Sequence, residues 1–277
     1  MSAKAHSESA LLTSLVDQYQ LEVDGVKFWT PYFINSQTSD TVKRPNMPAP
    51  YLGKGTPEQI KFALAEALKN ENAHFSTGEE YRTFMHDQLI GVECSGFAYY
   101  VYDELLKATR GTELANHLFW SREELLDAFD KGIPWHRPEL ARSTVEAYPN
   151  VISLADVCKD WGWKEPRRMV RGDRYWQPAG VIDLYGFSDL RSGDMITMRE
   201  KGSEIGHLVI VVEINGARIT YAHSSRIKST DNGGVHYGSF EVTVPESSVE
   251  KQKWEETEFL KTHYRYRLQR LKVLGAR

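Results

Sequence analysis

The apolar positions of this chain fall into two textures. Up to about residue 190 they recur every three or four residues, as on one face of a helix; beyond it many alternate with polar ones, as on one face of a strand. The first texture predicts helices over residues 8–20, from Thr56-Pro57 onward, over 78–89, from Cys94 onward, within SREELLDAF at 121–129, and around Cys158. Capping signals mark two of the starts. Thr56 with Gln59, and Ser121 with Glu124, each form a capping box, and Pro57 takes the first helical position, where an N–H would go unused anyway. Residues 25–55, rich in Pro, Asn, Gly and Ser, read as an irregular segment carrying aromatics. The YLGKGT stretch at its end lacks the spacing of a phosphate loop and reads as a turn. The second texture predicts strands in DMITMRE, IGHLVIVVEI, ARITYAHSS, GSFEVTV and YRYRLQRLKVL, punctuated by Asn-Gly and Gly-Gly. Helices first and antiparallel strands later make an α+β fold.

Composition acts mainly by exclusion. With 277 residues, 41% hydrophobic and 26% charged, the chain has material for a sizeable core. A net charge of −4 argues against a nucleic-acid partner. No apolar run approaches the ~18 residues of a membrane span. The N-terminus, interrupted by Asp17, is a poor signal peptide and reads as an amphipathic helix, so the expected location as synthesised is the cytoplasm, with delivery outside by another route left open. Two cysteines, Cys94 and Cys158, make no disulfide framework.

Candidate chemistry begins at Cys94, in GVECSGFAYYVYDELL. Gly91 ends the preceding segment, and Phe97, Val101 and Leu105 then recur at helical spacing, which places Cys94 in the first turn. Free backbone N–H groups and the positive end of the helix dipole favour a thiolate there, and Gly96 lets another chain or a substrate come close. The expectation is a reactive Cys94 of lowered pKa, while Cys158, with Leu154 and Trp161 at helical spacing, packs. A small residue buried at a helix–sheet contact is the other reading of the Cys94 pattern. A nucleophile needs a base: His207 opens a strongly apolar strand and His223 lies near the end of the next.

In this order the motifs resemble the NlpC/p-sixty family of papain-like cysteine peptidases, which cut bacterial cell-wall peptides. The matching residues are Glu93-Cys94-Ser95-Gly96, Gly193-Asp194, Gly206-His207 and Ala222-His223-Ser224, within roughly 80–130 and 188–245. The resemblance implies a papain-like α+β fold: a helix bearing the nucleophile packed on an antiparallel sheet, an N-terminal helical or irregular extension over 1–77, and a catalytic domain over 78–277 with a large helical insertion at about 110–190. It implies Cys94 as nucleophile, His207 as general base and then acid, and His223 orienting the imidazole. Glu93, Ser95, Tyr81 and Ser224 would contact a peptide or peptidoglycan-fragment substrate, and no cofactor is implied. Three departures stand out. Glu93 replaces the family's Asp, the insertion is long and is a candidate surface for a protein partner, and the export signal usual in the family is not seen. An acyltransferase or deamidase with the same triad, and a non-catalytic peptide-binding module, are the alternatives.

Two further readings concern the histidines. A metal set of His207, His223, His236 and Asp194 is conceivable, but the sequence lacks HExxH or paired Cys-x-x-Cys spacing and no metal is expected; His236 is the reserve for the third catalytic position. The triad also requires His207 and His223 on one sheet face. A three-residue loop, Ile214-Asn215-Gly216, would achieve this by pairing Glu213 with Ala217 and His207 with His223.

Overall fold

The structure, a computed structural model, describes residues 3–33, 48–130, 142–162, 164–170, 180–201, 206–226 and 233–275. It opens with helix α1 (Ala3–Asp17) and a hairpin of β1 (Gln20–Val23) and β2 (Val26–Trp29). This hairpin corrects the irregular reading of residues 25–55. Its signal was legible, because Asp24 and Gly25, both at positive φ, are a residue pair favoured in a tight two-residue turn. Residues 34–47 of the same segment lie outside the described residues.

Helix α2 (Pro57–Glu71) starts with the expected Thr56–Gln59 capping box, and α3 (Gly78–Asp87) has a second box between Thr77 and Glu80. Helix α4 (Cys94–Arg110) ends at Gly111 in the left-handed conformation. It is buried all round from Cys94 to Tyr102, about two and a half turns. The insertion follows with β3 (Phe119–Ser121), α5 (Arg122–Asp130), α6 (Arg142–Glu146), β4 (Val151–Ser153) and α7 (Leu154–Asp160). Its buried Leu118, Trp120, Leu125, Val157 and Cys158 join the core that α1, α2 and α4 share, so its apolar face is spent on its neighbours.

The second half supplies β5 (Val181–Asp183), β6 (Met195–Glu200), β7 (Gly206–Asn215), β8 (Arg218–Ser225), β9 (Gly234–Glu241), β10 (Lys253–Trp254), helix α8 (Thr257–Thr262), β11 (His263–Leu271) and helix α9 (Lys272–Gly275). The seven strands form one antiparallel sheet in the order β10-β9-β8-β7-β6-β11-β5, and the fold is α+β. Two cores flank the sheet. Leu208, Ile210, Val212 and Ala222 face the helices, whereas Val209, Val211, Ile219 and Tyr221 pack on the other face with Phe240 and Trp254.

The β7–β8 hairpin corrects the expected loop. Asn215 pairs with Arg218, and Glu213 with Thr220 rather than Ala217, leaving only Gly216 and Ala217 in the turn. Gly216, at φ +59°, takes the position that calls for glycine. Left uncorrected, that register would put His207 on the face of Ser224. A bulge at Val212 then shifts the pairing to Val211–Tyr221 and Ile210–Ala222. One extra residue flips the face, so His207 and His223 share a side after all, as diagonal neighbours. His236 joins them, directly opposite His223 on β9.

Candidate active site

Cys94 is the first residue of α4, and the chain before it is clamped by backbone contacts. Glu93 N–H donates to Gly53 O at 3.0 Å, and Phe97 N–H closes the first turn on Glu93 O at 2.9 Å. Gly96 fulfils its expected role: a Cβ there would lie 2.3 Å from Gly53 O, so only glycine lets the two segments cross. On the sheet side, Ser224 Oγ donates to Val92 O at 2.6 Å and ties β8 to the start of α4. The backbone N–H groups of Leu208 and Ser95 lie near the Cys94 sulfur and act to lower its pKa. The thiol thus lies on the helix side of the sheet beside Leu208, whereas His207, paired with Met198, alternates to the face of Val209.

Electrostatics overturn the expectation of a lowered thiol pKa. Burial, and then the neighbouring Glu93 carboxylate, push the Cys94 thiol well up, and Lys54 and the two N–H groups offset only part of this. Cys94 is 5% exposed, and its sulfur lies 3.8 Å from Glu93 Oε2. Burial also pushes the Cys158 thiol up, to about 12. Helix N-terminal position alone does not set a thiol's charge when a carboxylate is packed beside it.

Glu93 and Ser95 meet a residue that the sequence reading passed over. Lys54, in the YLGKGT turn, reaches Glu93 Oε1, Ser95 Oγ and, at 2.6 Å, Val170 O. Side-chain exposures of 10% for Lys54 and 9% for Glu93 make this a buried ion pair. Only the tertiary path of residues 48–55 puts the lysine there; no local motif announces it.

The histidines form a chain. His207 Nε2 lies 2.9 Å from His223 Nδ1, and His223 Nε2 lies 2.9 Å from His236 Nε2. Glu256 closes it, with Oε1 2.7 Å from His236 Nε2 and Oε2 3.3 Å from His223 Nε2. The Tyr221 hydroxyl donates to the same carboxylate. Burial, reinforced by the neighbouring histidines, holds His207 well below its ordinary pKa. The same causes, burial and then His236, bring His223 down to about 4. For Glu256, burial acts upward, but hydrogen bonds from His223 and His236 outweigh it and keep the carboxyl far below the usual range. The resting site therefore holds a neutral thiol, two neutral imidazoles and a carboxylate.

The structure gathers Glu93, Cys94 and Ser95 at the start of α4 and joins His207 to His223 on the sheet, and it gives several of the sequence candidates other roles. Glu93 and Ser95 are buried and engaged with Lys54, so neither presents a free group to a substrate. Ser224 is fully buried on the Val92 carbonyl and acts as a tie. Tyr81 is fully buried as well, stacked on Phe28 at 5.0 Å with its hydroxyl 3.3 Å from Asp24; packing has claimed it. Asp194, from the weighed metal set, is held by Arg270 at 2.6 and 2.7 Å. Glu256 was missed altogether, since it lies 33 residues beyond His223 and only the β9–β10 pairing returns it. Among the described residues no helix is long and apolar enough to cross a membrane. No protein-family model, curated protein or solved structure matches the chain.

Proposed function

We propose that the chain is a cysteine hydrolase of papain-like fold that cleaves an amide bond. One observation supports the reading: Cys94 starts a helix with its sulfur near the Leu208 N–H, and the preceding residue of β7, His207, is hydrogen-bonded to His223 at 2.9 Å. On this reading α4 supplies the nucleophile, β7 the base and β8 the group that orients it, and attack requires the His207 ring to turn toward the sulfur.

The raised thiol pKa and the neutral imidazoles favour general-base attack over a standing ion pair. In this mechanism His207 takes the Cys94 proton as sulfur adds to the substrate carbonyl. The proton then passes to the leaving amine as the C–N bond breaks, leaving a thioester. Water, deprotonated by His207, adds to the thioester and releases the acid and the thiol. Backbone N–H groups at the start of α4 are the donors for the transient oxyanion. For His207 to accept through Nδ1, its Nε2 must carry the hydrogen given to His223 Nδ1, and His223 must turn its own N–H toward Glu256.

The substrate proposed is a peptide of the bacterial cell wall, on the motif resemblance described above. Because Lys54 neutralises Glu93, a contact between that carboxylate and a substrate amine is not part of the proposal. The test is incubation with purified wall peptides and with generic peptide amides, followed by mass spectrometry. Cleavage that vanishes in Cys94→Ala is expected. Cleavage that persists in Cys94→Ala would refute the reading, and mass gain without cleavage would assign transfer instead.

A further inference from the structure

The cluster at the far end of the histidine chain has a donor geometry that hydrolysis alone does not require. His223 Nε2, His236 Nε2 and the Glu256 carboxylate all lie within 4.8 Å of one another, from β8, β9 and the turn before α8. Each group is fixed from behind. His236 Nδ1 is 2.9 Å from Gly234 O, which can only accept, so this nitrogen carries the hydrogen and a neutral His236 points a bare Nε2 inward. That lone pair faces a carboxylate oxygen at 2.7 Å and another imidazole nitrogen at 2.9 Å. A hydrogen on His223 Nε2 can satisfy one of these contacts, but the approach of His236 Nε2 to the carboxylate at 2.7 Å still calls for a proton or a metal ion between them. Tyr221 holds Glu256, and His207 contacts the back nitrogen of His223. Such outer partners are what metal-ligating imidazoles and carboxylates ordinarily have.

We propose that His223, His236 and Glu256 form a binding site for a divalent transition-metal ion of the zinc class, with a fourth position open. Two imidazoles and one carboxylate are a recognised zinc donor set. Ligand atoms around a tetrahedral zinc stand about 3.3 Å apart for bonds near 2.0–2.1 Å. The separations of 2.9 Å between the imidazole nitrogens and 2.7 Å from His236 Nε2 to Glu256 Oε1 would have to widen by about 0.4–0.6 Å to reach that spacing. His236, with 23% of its side chain exposed, gives the ion a path from solvent to the buried His223. The site differs from the set weighed on sequence, which included Asp194 and His207 and lacked Glu256.

Occupancy has a structural consequence. A neutral His223 that gives Nε2 to a metal carries its hydrogen on Nδ1 and donates it to His207 Nε2. This reverses the hydrogen bond that the cysteine mechanism needs, so the metal-loaded form would be the inactive one; that consequence, unlike the site itself, rests on the hydrolase reading.

The experiment uses full-length Cys94→Ala protein, which removes the thiol as a competing ligand and makes the result independent of any activity. After chelator treatment and dialysis, zinc binding is followed by calorimetry and cobalt binding by visible absorption. One ion per chain is expected, with the intense d–d bands of a four-coordinate cobalt site. His236→Ala and Glu256→Ala should each weaken binding by more than the ~10–100-fold loss typical of an outer partner. His263→Ala, which removes a histidine ring 5.6 Å from His207 but outside the cluster, should leave it unchanged. Circular dichroism verifies that each variant is folded. Where a single substitution unfolds the chain, His236→Gln takes its place. Absence of stoichiometric zinc binding, or binding indifferent to His236 and Glu256, would overturn the proposal.

Discussion

Lys54→Met tests the buried ion pair beneath the cysteine. The substitution keeps most of the side-chain volume and removes the ammonium that Glu93, Ser95 and the Val170 carbonyl share. Glu93 would then be a carboxylate with 9% side-chain exposure and no cation beside it. Removing one partner of a buried pair costs about 3–5 kcal/mol, mostly because the other charge is left uncompensated. At about 2–4 °C per kcal/mol for a chain of this size, the midpoint of thermal unfolding should fall by roughly 10 °C. The assay is far-UV circular dichroism on heating, supported by urea titration. Adding Glu93→Gln to Lys54→Met should recover a large part of the loss, because the stranded charge is then gone. A drop below about 1 kcal/mol, the range of exposed ion pairs, would refute the reasoning. So would a double variant no more stable than the single.

Four other predictions concern the same structure. Cys94 and Cys158 in the folded protein should both alkylate slowly with iodoacetamide at pH 7, since burial raises both thiols, and rapidly in denaturant. Glu93→Gln removes a carboxylate that raises the Cys94 thiol, so labelling of Cys94 should accelerate in that variant; peptide mapping that shows no acceleration would remove Glu93 as a cause. Gly96→Ala, which drives a Cβ to 2.3 Å from Gly53 O, should cost about 2 kcal/mol or more, whereas Gly111→Ala, with nothing within 4 Å, should cost only the left-handed strain of about 1 kcal/mol; equal losses in urea unfolding would contradict the crossing. On a substrate found by the mass-spectrometric screen, Cys94→Ala and His207→Ala should each reduce turnover by on the order of 10⁴-fold or more, with the double variant hardly worse, and additive losses would mean that the two act separately.

The tertiary structure reversed one part of the local chemistry while preserving another. The three-residue loop was inferred because a base needs an orienting partner, and the inference about the face held while its cause did not. The loop has two residues, and the bulge at Val212 restores the parity. A one-residue shift has no signature in an apolar run such as HLVIVVEI, where every register buries hydrophobic side chains. The thiol shows the opposite case. Helix position was read correctly, but the charge state followed from burial and from Glu93, whose orientation depends on Lys54.

Local pattern by itself determined the elements and the position of Cys94. The Thr56–Gln59 box starts α2, the Ser121–Glu124 pair opens α5, and the spacing of Phe97, Val101 and Leu105 defines the start of α4. These signals act within one or two turns, so a short window of sequence contains the whole cause. Tertiary structure alone decided that Lys54 neutralises Glu93, that Tyr81 is packed away, and that His223, His236 and Glu256 converge. Those outcomes depend on strand order and crossing segments, which join residues tens of positions apart through packing and backbone pairing that no local propensity encodes.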